Sequence, residues 1–464
     1  MDEGQKGKLN NEYRSHDIPL RLCKLLNPIL MTALVAGAWY LYYAPRAKVQ
    51  YYRKGNWVVL LIFFVLFVVF SRIYDAYQIS TKSISEIIYS QLLSLLFSDA
   101  FMFVIIWLLS LDRPSAVPMI CVFLLQAAVA ATWAVIAVKW YFLSYSPLKT
   151  AVIYDIREGI EDVIGNYDLK KRFSVDKVFF IDECVEDISI LDDFDALFLV
   201  GLPSHDRNTI LKYCVRNNKK AYVIPKIGDL IMSGAYRQHM CYLPILFVHR
   251  YSPIPEYVAL KRIFDIAVSL IGLIVLSPLM IVTAIAVKCD GGPAIYKQKR
   301  LTKDGKEFYI LKFRSMRVDA EKDGVARLSA GESDDRITKV GRIIRALRFD
   351  ELPQLLNVLS GNMSIVGPRP ERPEIAAKYR EVVPDFDLRL QVKAGLTGYA
   401  QVYGKYNTTP YDKLLMDLMY ISKPSILEDF RICFATVKIL FVKESTEGFD
   451  SCSTATFDIK RDAQ

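Results

Sequence analysis

Residues 263–287 read IFDIAVSLIGLIVLSPLMIVTAIAV, and how this stretch meets a bilayer decides the fold of everything that follows it. Its 25 residues exceed the ~20 that a helix needs to cross ~30 Å of hydrocarbon. Lys261 and Arg262 precede it and Lys288 follows it. Near the middle sits Leu276-Ser277-Pro278. Proline removes a backbone donor and clashes with the preceding turn, so a helix kinks there, and the Ser277 hydroxyl can satisfy a freed carbonyl. From these residues two readings stay open. The helix crosses, or it enters, bends at Ser277-Pro278 and returns to the same face. Cations at both ends favour the return, because both can meet anionic head groups.

Outward toward the N-terminus, four more apolar segments lie at about 25–43, 57–71, 87–111 and 117–143. Trp39, Tyr40, Tyr42, Tyr43, Trp57, Trp140 and Tyr141 lie near segment ends, as interfacial aromatics do. Four crossings put the N-terminus and everything after Thr150 on one side. Lys6, Lys8, Arg14, Arg21 and Lys24 make that side the cytoplasm, while Arg46, Lys48, Arg53 and Lys54 in the first loop argue the other way. Asp99, inside the third segment, is either a functional charge or a hydrogen-bonding group between helices.

The expected organisation is a membrane protein of mixed α and α/β class. Residues 1–149 carry a four-helix transmembrane bundle. Residues 150–250 form a Rossmann-like α/β domain, because short runs at 151–154, 178–181, 196–200, 221–224 and 245–248 alternate with polar, helical stretches. The first run leads into Asp155-Ile156-Arg157-Glu158-Gly159, not the glycine-rich turn of a dinucleotide site. Residues 251–260 are a linker, 261–289 the bent membrane helix, 290–442 a mainly α-helical catalytic domain, and 443–464 a polar tail.

Composition narrows the function. Of 464 residues, 52% are hydrophobic, and the mean hydropathy of +0.21 is high for a soluble chain this long. The formal charge of +9 suits anionic partners. The apolar segments turn that toward membranes and phosphorylated substrates, and no nucleic-acid signature supports the alternative. The eight cysteines form no Cys-x-x-Cys pair and no Cys/His cluster, so they read as free thiols in a reducing compartment. Residues 1–10 lack the apolar core of a signal peptide.

The chemistry centres on Arg345-Ala346-Leu347-Arg348-Phe349-Asp350-Glu351-Leu352-Pro353-Gln354. Before it, Ile337, Val340, Ile343, Ile344 and Leu347 recur at helical spacing, with Lys339, Arg342, Arg345 and Arg348 between them. Such a helix can lie on a membrane surface or pack on a protein core. An aspartate near its reference pKa of ~3.9 is ionised at neutral pH and can attack phosphorus without a general base. Cations must first offset its repulsion from an anionic diphosphate. Glu351 suits a hard divalent cation, and Lys312, Arg314, Arg342, Arg345 and Arg369 are candidates for the phosphate oxygens. A structural alternative makes Asp350 a helix N-cap, and Gly367-Pro368-Arg369-Pro370 only a rigid turn.

From Lys261 to about Val442 the chain resembles the bacterial sugar transferase family, the monotopic phosphoglycosyl transferases. The runs that carry the resemblance, in chain order, begin with Lys261-Arg262-Ile263-Phe264-Asp265, Leu276-Ser277-Pro278-Leu279 and Gly291-Gly292-Pro293-Ala294-Ile295-Tyr296. They continue with Leu311-Lys312-Phe313-Arg314-Ser315-Met316, Asp350-Glu351-Leu352-Pro353-Gln354-Leu355, Gly361 to Pro370, and Lys393-Ala394-Gly395-Leu396-Thr397-Gly398. The leading membrane segments and α/β domain resemble the large subgroup with undecaprenyl-phosphate galactose and glucose phosphotransferases. The resemblance implies that Asp350 attacks the β-phosphate of a UDP-sugar and releases UMP, and that a polyprenyl phosphate then takes the phosphosugar. It implies Mg²⁺ at Glu351 with Asp350 beside it, and a re-entrant helix broken at Ser277-Pro278. It implies phosphate or substrate contacts from Lys312, Arg314, Arg345, Arg369, Gln401 and Asp417. Many relatives carry Gly-Arg-Asn after the Gln-Val at 401–402, whereas this chain has Tyr403-Gly404-Lys405-Tyr406-Asn407; Lys405 keeps the charge without the planar fork. The expected place is the cytoplasmic face of a bacterial inner membrane, and a homodimer fits the subgroup. A non-catalytic scaffold for glycan assembly is the contrasting reading, and the intact Asp-Glu pair and Ser-Pro break argue against it.

Overall fold

The computed structural model describes residues 3–47, 54–110, 112–155, 172–240, 242–251, 253–317, 336–404 and 408–439, with side chains from Ile18 onward. The tail expected at 443–464 and Lys405 lie outside the described residues. Contacts divide the chain into two units, one built on Met1–Thr150 and one on the chain from Lys177 onward with the strand residues just after Thr150.

The first unit holds α1 (Glu3–Ala38), α2 (Lys54–Ile73), α3 (Ile84–Leu109) and α4 (Val117–Ser144). A π-turn (Trp39–Tyr43) and a 3-10 turn (Ala44–Arg46) extend α1. The Ser83 hydroxyl caps α3 by accepting the Glu86 N–H. All four helices are long and apolar enough to cross a membrane. They pack through a buried cluster that includes Trp39, Phe63, Phe67 and Met102. Polar groups also meet there: Asn27 Nδ2 donates to Gln91 Oε1 at 3.3 Å, and Gln126 Nε2 donates to the Met31 carbonyl at 3.3 Å. Asp99 on α3 is buried as well.

The second unit opens with an α/β region. Its strands are β1 (Leu148–Tyr154), β2 (Phe173–Phe180), β3 (Ala196–Val200) and β4 (Lys220–Val223), in the order β2-β1-β3-β4, with β3 and β4 parallel. Helices α5 (Ile181–Glu186), α6 (Ser204–Arg216) and α7 (Ile227–Ser233) accompany them. The run expected as a fifth sheet strand, 245–248, falls elsewhere. It belongs to β6 (Leu243–Phe247), which pairs antiparallel with β5 (Tyr236–Met240) as a separate hairpin. Two residues separate these strands, and so short a connection can join only antiparallel neighbours.

Helix α8 (Pro255–Cys289) begins inside the expected linker. Pro255 at its first position has the fixed φ that starts a helix, and the missing N–H costs nothing there. The helix runs through Pro278 without interruption over 35 residues. Pro278 cannot bond the Ile274 carbonyl, and the Ser277 hydroxyl donates to that carbonyl instead at 2.8 Å. The serine therefore repairs the bond that the proline removes, as the sequence suggested, but inside a continuous helix.

Beyond α8 the described region is mainly helical, as expected, with two short strand pairs set among the helices. An antiparallel hairpin joins β7 (Ile295–Leu301) and β8 (Glu307–Phe313). Then come α9 (Lys339–Ala346), a 3-10 turn (Phe349–Glu351), α10 (Gln354–Leu359), β9 (Ser364–Val366) and α11 (Pro373–Val382). A 3-10 segment (Pro384–Gln391), β10 (Gly395–Thr397), α12 (Tyr399–Tyr403), α13 (Pro410–Ser422) and α14 (Ile426–Ile439) complete it. β9 and β10 pair in parallel. Their approach needs glycine: a Cβ on Gly395 would stand 2.1 Å from the Gly367 nitrogen. The core gathers Ile310, Leu355, Val358, Met363, Phe386 and Leu414.

Candidate active site

Asp350 and Glu351 sit in the 3-10 turn between α9 and α10, just after Arg348. Arg348 is left-handed, with φ 55° and ψ 23°, a conformation that costs a non-glycine residue about 1 kcal/mol or more. It ends α9 and redirects the chain so that the acidic pair precedes α10. Asp350 does not cap α10, whose N-cap is Pro353 with no side-chain bond. The capping alternative therefore fails.

Asn357 on α10 fixes this segment against the hairpin. Its Oδ1 accepts the Leu311 N–H at 2.9 Å and its Nδ2 donates to the Tyr309 carbonyl at 2.8 Å. Lys312, one residue on along β8, then donates to Glu351 Oε1 at 2.7 Å. Arg369 Nη2 donates to the same oxygen at 3.1 Å. Arg369 is held from behind: its carbonyl accepts from Arg389 Nη2 at 2.9 Å, and Arg389 is ion-paired with buried Asp417 at 2.7 Å. A relay thus runs from Asp417 through Arg389 and Arg369 to Glu351 and Lys312.

The two adjacent carboxylates differ electrostatically. For Asp350, burial is the largest influence and pushes its carboxyl up, with Glu351 adding to it. Lys312, Arg345 and Arg369 pull it partway back. For Glu351, burial also opposes the charge, but Lys312 and Arg369 overcome it and hold the carboxyl well below the usual range. One carboxylate is a fixed anion, and the other has a charge that its surroundings can still change. Such divided pairs mark sites where two acids take two roles.

A small cavity adjoins the pair, lined by Arg300, Ile310, Lys312, Glu351, Gln354, Arg369, Pro370 and Gly395. Arg300 and Gln354 were not among the residues expected from sequence. The hairpin register was the available signal for Arg300. It pairs Ile295 with Phe313 and Leu301 with Glu307, which sets Tyr296, Gln298 and Arg300 on the face that carries Lys312. Burial, with the nearby Arg369 charge, lowers the Arg300 pKa to about 10.

Other expected residues stand apart. Arg314 is buried and donates to the Val287 carbonyl at 2.9 Å, so it clamps the end of α8 instead of facing phosphate. Arg314 lies just past β8, which ends at Phe313. Arg342 is exposed on α9, whereas Arg345 is close enough to act on Asp350. Asp417 is committed to Arg389, so it supports the site from behind. Burial outweighs Arg389 and leaves its carboxyl above the ordinary range. Gln401 Nε2 donates to the Leu396 carbonyl at 3.1 Å.

Among the described residues, no three His, Cys, Asp or Glu side chains come together as a metal cluster. Mg²⁺ needs no such cluster, since it commonly takes one or two carboxylates and completes its shell with water and substrate phosphate. Lys312 and Arg369 both bond to Glu351 Oε1 and neither to Oε2. Asp350 and Glu351 Oε2 therefore fit that donor set.

The bacterial sugar transferase profile matches residues 256–443. A 192-residue segment is 38% identical to a UDP-N-acetylgalactosamine-undecaprenyl-phosphate N-acetylgalactosaminephosphotransferase of Aeromonas hydrophila, covering 40% of this chain and 45% of that protein. A 191-residue segment is 43% identical to a UDP-glucose:undecaprenyl-phosphate glucose-1-phosphate transferase of Klebsiella pneumoniae, covering 40% and 41%. The matches thus span less than half the length of these two relatives. Over 199 residues the chain is 42% identical to the exopolysaccharide production protein PSS of Rhizobium leguminosarum, covering 41% of this chain and 96% of that one. With the matched segment holding α8, the acidic pair and the relay behind it, the chain belongs to the bacterial sugar transferase family.

Proposed function

We propose that this chain transfers a sugar-1-phosphate from a UDP-sugar to undecaprenyl phosphate and releases UMP. The observation that carries the reading is the divided pair, with Asp350 next to a Glu351 held as an anion by Lys312 and Arg369. The names of the relatives support it. An Asp350 oxygen attacks the β-phosphorus, and a bond forms as the bridging bond to UMP breaks. UMP leaves with the bonding electrons, and the sugar phosphate stays on Asp350 as an acyl phosphate. An oxygen of undecaprenyl phosphate then attacks the same phosphorus, and the Asp350 carboxylate is regenerated.

Lys312 and Arg369 orient Glu351 and offset negative charge as the diphosphate arrives. When bound at Glu351 and Asp350, Mg²⁺ would supply further charge neutralisation on the phosphate oxygens. The α1–α4 helices are read as a transmembrane bundle, 150–250 as a Rossmann-like domain, and α8 as a re-entrant helix that keeps the catalytic region on the cytoplasmic face of the inner membrane. A homodimer is part of the same reading.

The test is UMP release from a panel of UDP-sugars in membranes supplied with polyprenyl phosphate. The wild type should release UMP with at least one donor and form a labelled covalent adduct from a β-³²P donor. Asp350→Asn should do neither. An adduct that persists in that variant removes Asp350 as nucleophile. Glu351→Gln should lose most activity or its Mg²⁺ response.

A further inference from the structure

We propose that Gln354 and Arg300 form a donor notch that takes one non-bridging oxygen of the phosphoryl group under attack. This rests on the functional reading above. Gln354 follows Asp350 by four residues and opens α10, so it lies beside the turn that carries the acidic pair. It is 3% exposed, and its Nε2 has no hydrogen-bond partner. Arg300 is fixed by two bonds, from Nη1 to the Pro370 carbonyl at 2.9 Å and from Nη2 to Gln298 Oε1 at 2.7 Å. Its Nε is also buried without a partner. Both side chains line the cavity that Lys312, Glu351 and Arg369 share.

The chemistry of the vacant bonds selects the occupant. A buried N–H without an acceptor loses its hydration with nothing in return, so two in one cavity are an arrangement that a ligand should complete. Both are donors, and the acceptor without a partner in the lining, Glu351 Oε2, is the one assigned above to a metal ion. A water molecule would also satisfy both donors, but its own two protons would need acceptors elsewhere in the cavity. A phosphoryl oxygen brings only lone pairs. The cavity is about 10 Å³, room for one water-sized group rather than a whole phosphate. The fit is to one oxygen projecting inward while phosphorus stays at Asp350. Donors aimed at an oxygen that gains charge in the transition state act on kcat more than on KM.

Steady-state UMP release from the preferred UDP-sugar, with Gln354→Met and Gln354→Glu, tests this. The methionine variant keeps the volume and loses the donor. The glutamate variant places an acceptor where the oxygen should sit. The expected result is a fall in kcat of about 100-fold for methionine, and more for glutamate, with KM within about threefold and an unchanged melting temperature. Wild-type kcat in Gln354→Met overturns the notch while the transferase reading stands. If the Gln354 variants do not fold, Arg300→Lys, which keeps the charge without Nε, is measured in the same way, and wild-type kcat there overturns the proposal. If the wild type releases no UMP from any donor, the functional reading fails. Thermal stabilisation of the wild type by inorganic phosphate, absent in Gln354→Met, would then still support the notch, and equal stabilisation of both would sink it.

Discussion

Helices α1–α4 and helix α8 are all apolar enough for a membrane, but they handle polar groups in opposite ways. In the most apolar windows of α1–α4, 28–39% of residues are buried, against 11% in α8. The first four helices partner one another: besides Asn27–Gln91 and Gln126–Met31, Trp133 Nε1 donates to the Cys23 carbonyl at 3.2 Å. In α8 the polar groups point to the catalytic region. Asp265 accepts from Ser364 Oγ at 3.0 Å and from the Ile365 N–H at 2.9 Å. Arg262 donates to the Val358 and Leu359 carbonyls, both at 2.7 Å. Lys261 pairs with buried Asp429 at 3.0 Å. The difference teaches that α8 is structurally a catalytic-domain helix with an apolar outside, whereas α1–α4 complete a fold of their own.

The largest expected effect breaks α8 from its partner. Asp265→Leu removes the acceptor for two buried donors, each costing about 1–3 kcal/mol when orphaned. Melting in detergent should show a loss of about 3 kcal/mol or more, with UMP release lost alongside. Asn27→Leu, which removes the neutral bonds to Gln91 and from Tyr77 inside the first unit, should cost about 2 kcal/mol and leave UMP release intact. Equal losses of activity in the two variants would erase the distinction.

Next is the relay behind Arg369. Asp417→Asn leaves Arg389 less firmly held, and Arg389 in turn holds the Arg369 carbonyl. Displacement of a phosphate-facing group by about 1 Å can cost on the order of 100-fold in rate. UMP release should fall about 10- to 100-fold, and Glu351→Gln should add little on top of it. Independent, multiplicative losses in the double variant would show that Asp417 does not act through Arg369 and Glu351.

The divided acidic pair predicts the pH profile. In the proposed reaction only ionised Asp350 attacks, and its carboxyl is pushed up by burial and by Glu351. Activity is therefore complete above the raised value and falls as pH drops through it, about tenfold per unit. That limb should lie above the ~3.9 of an ordinary aspartate. Glu351, held low, stays ionised throughout and adds no second limb in this range. Rates of UMP release against pH check this, and a limb at or below the ordinary aspartate value would contradict it.

Legibility in the sequence followed the range of the interactions. Apolar spans, the helical spacing around α9 and the Ser277-Pro278 repair depend on neighbours within a turn or two, and they were readable. Asp350, Glu351, Lys312 and Arg369 were singled out because their residue types suit the chemistry, and the structure brings them together. Arg389 was missed because its partner Asp417 is 28 residues away on another helix. Gln354 was missed because an amide looks ordinary until burial leaves its N–H without a partner. Arg314 was named for its charge, and its bond to the Val287 carbonyl at the end of α8 is a contact between residues 27 apart that the local sequence does not show.

The smallest expected effect tests the independence of the two apolar regions directly. Lys312, Glu351, Arg369, Arg389 and Asp417 all lie beyond Pro255, as does α8 itself. So do Val358, Ser364 and Asp429, which hold the polar side chains of that helix. The Rhizobium leguminosarum relative, matched over 96% of its length by 199 residues, has hardly any chain outside the matched segment. A fragment of residues 251–464 should therefore keep UMP release within roughly threefold of the full chain, less than 1 kcal/mol of barrier. The measurement is initial rate at saturating UDP-sugar in vesicles of bacterial lipid. A fragment that melts cooperatively but releases no UMP would show that α1–α4 or the α/β region acts on the chemistry, and that α8 does not carry the active site alone.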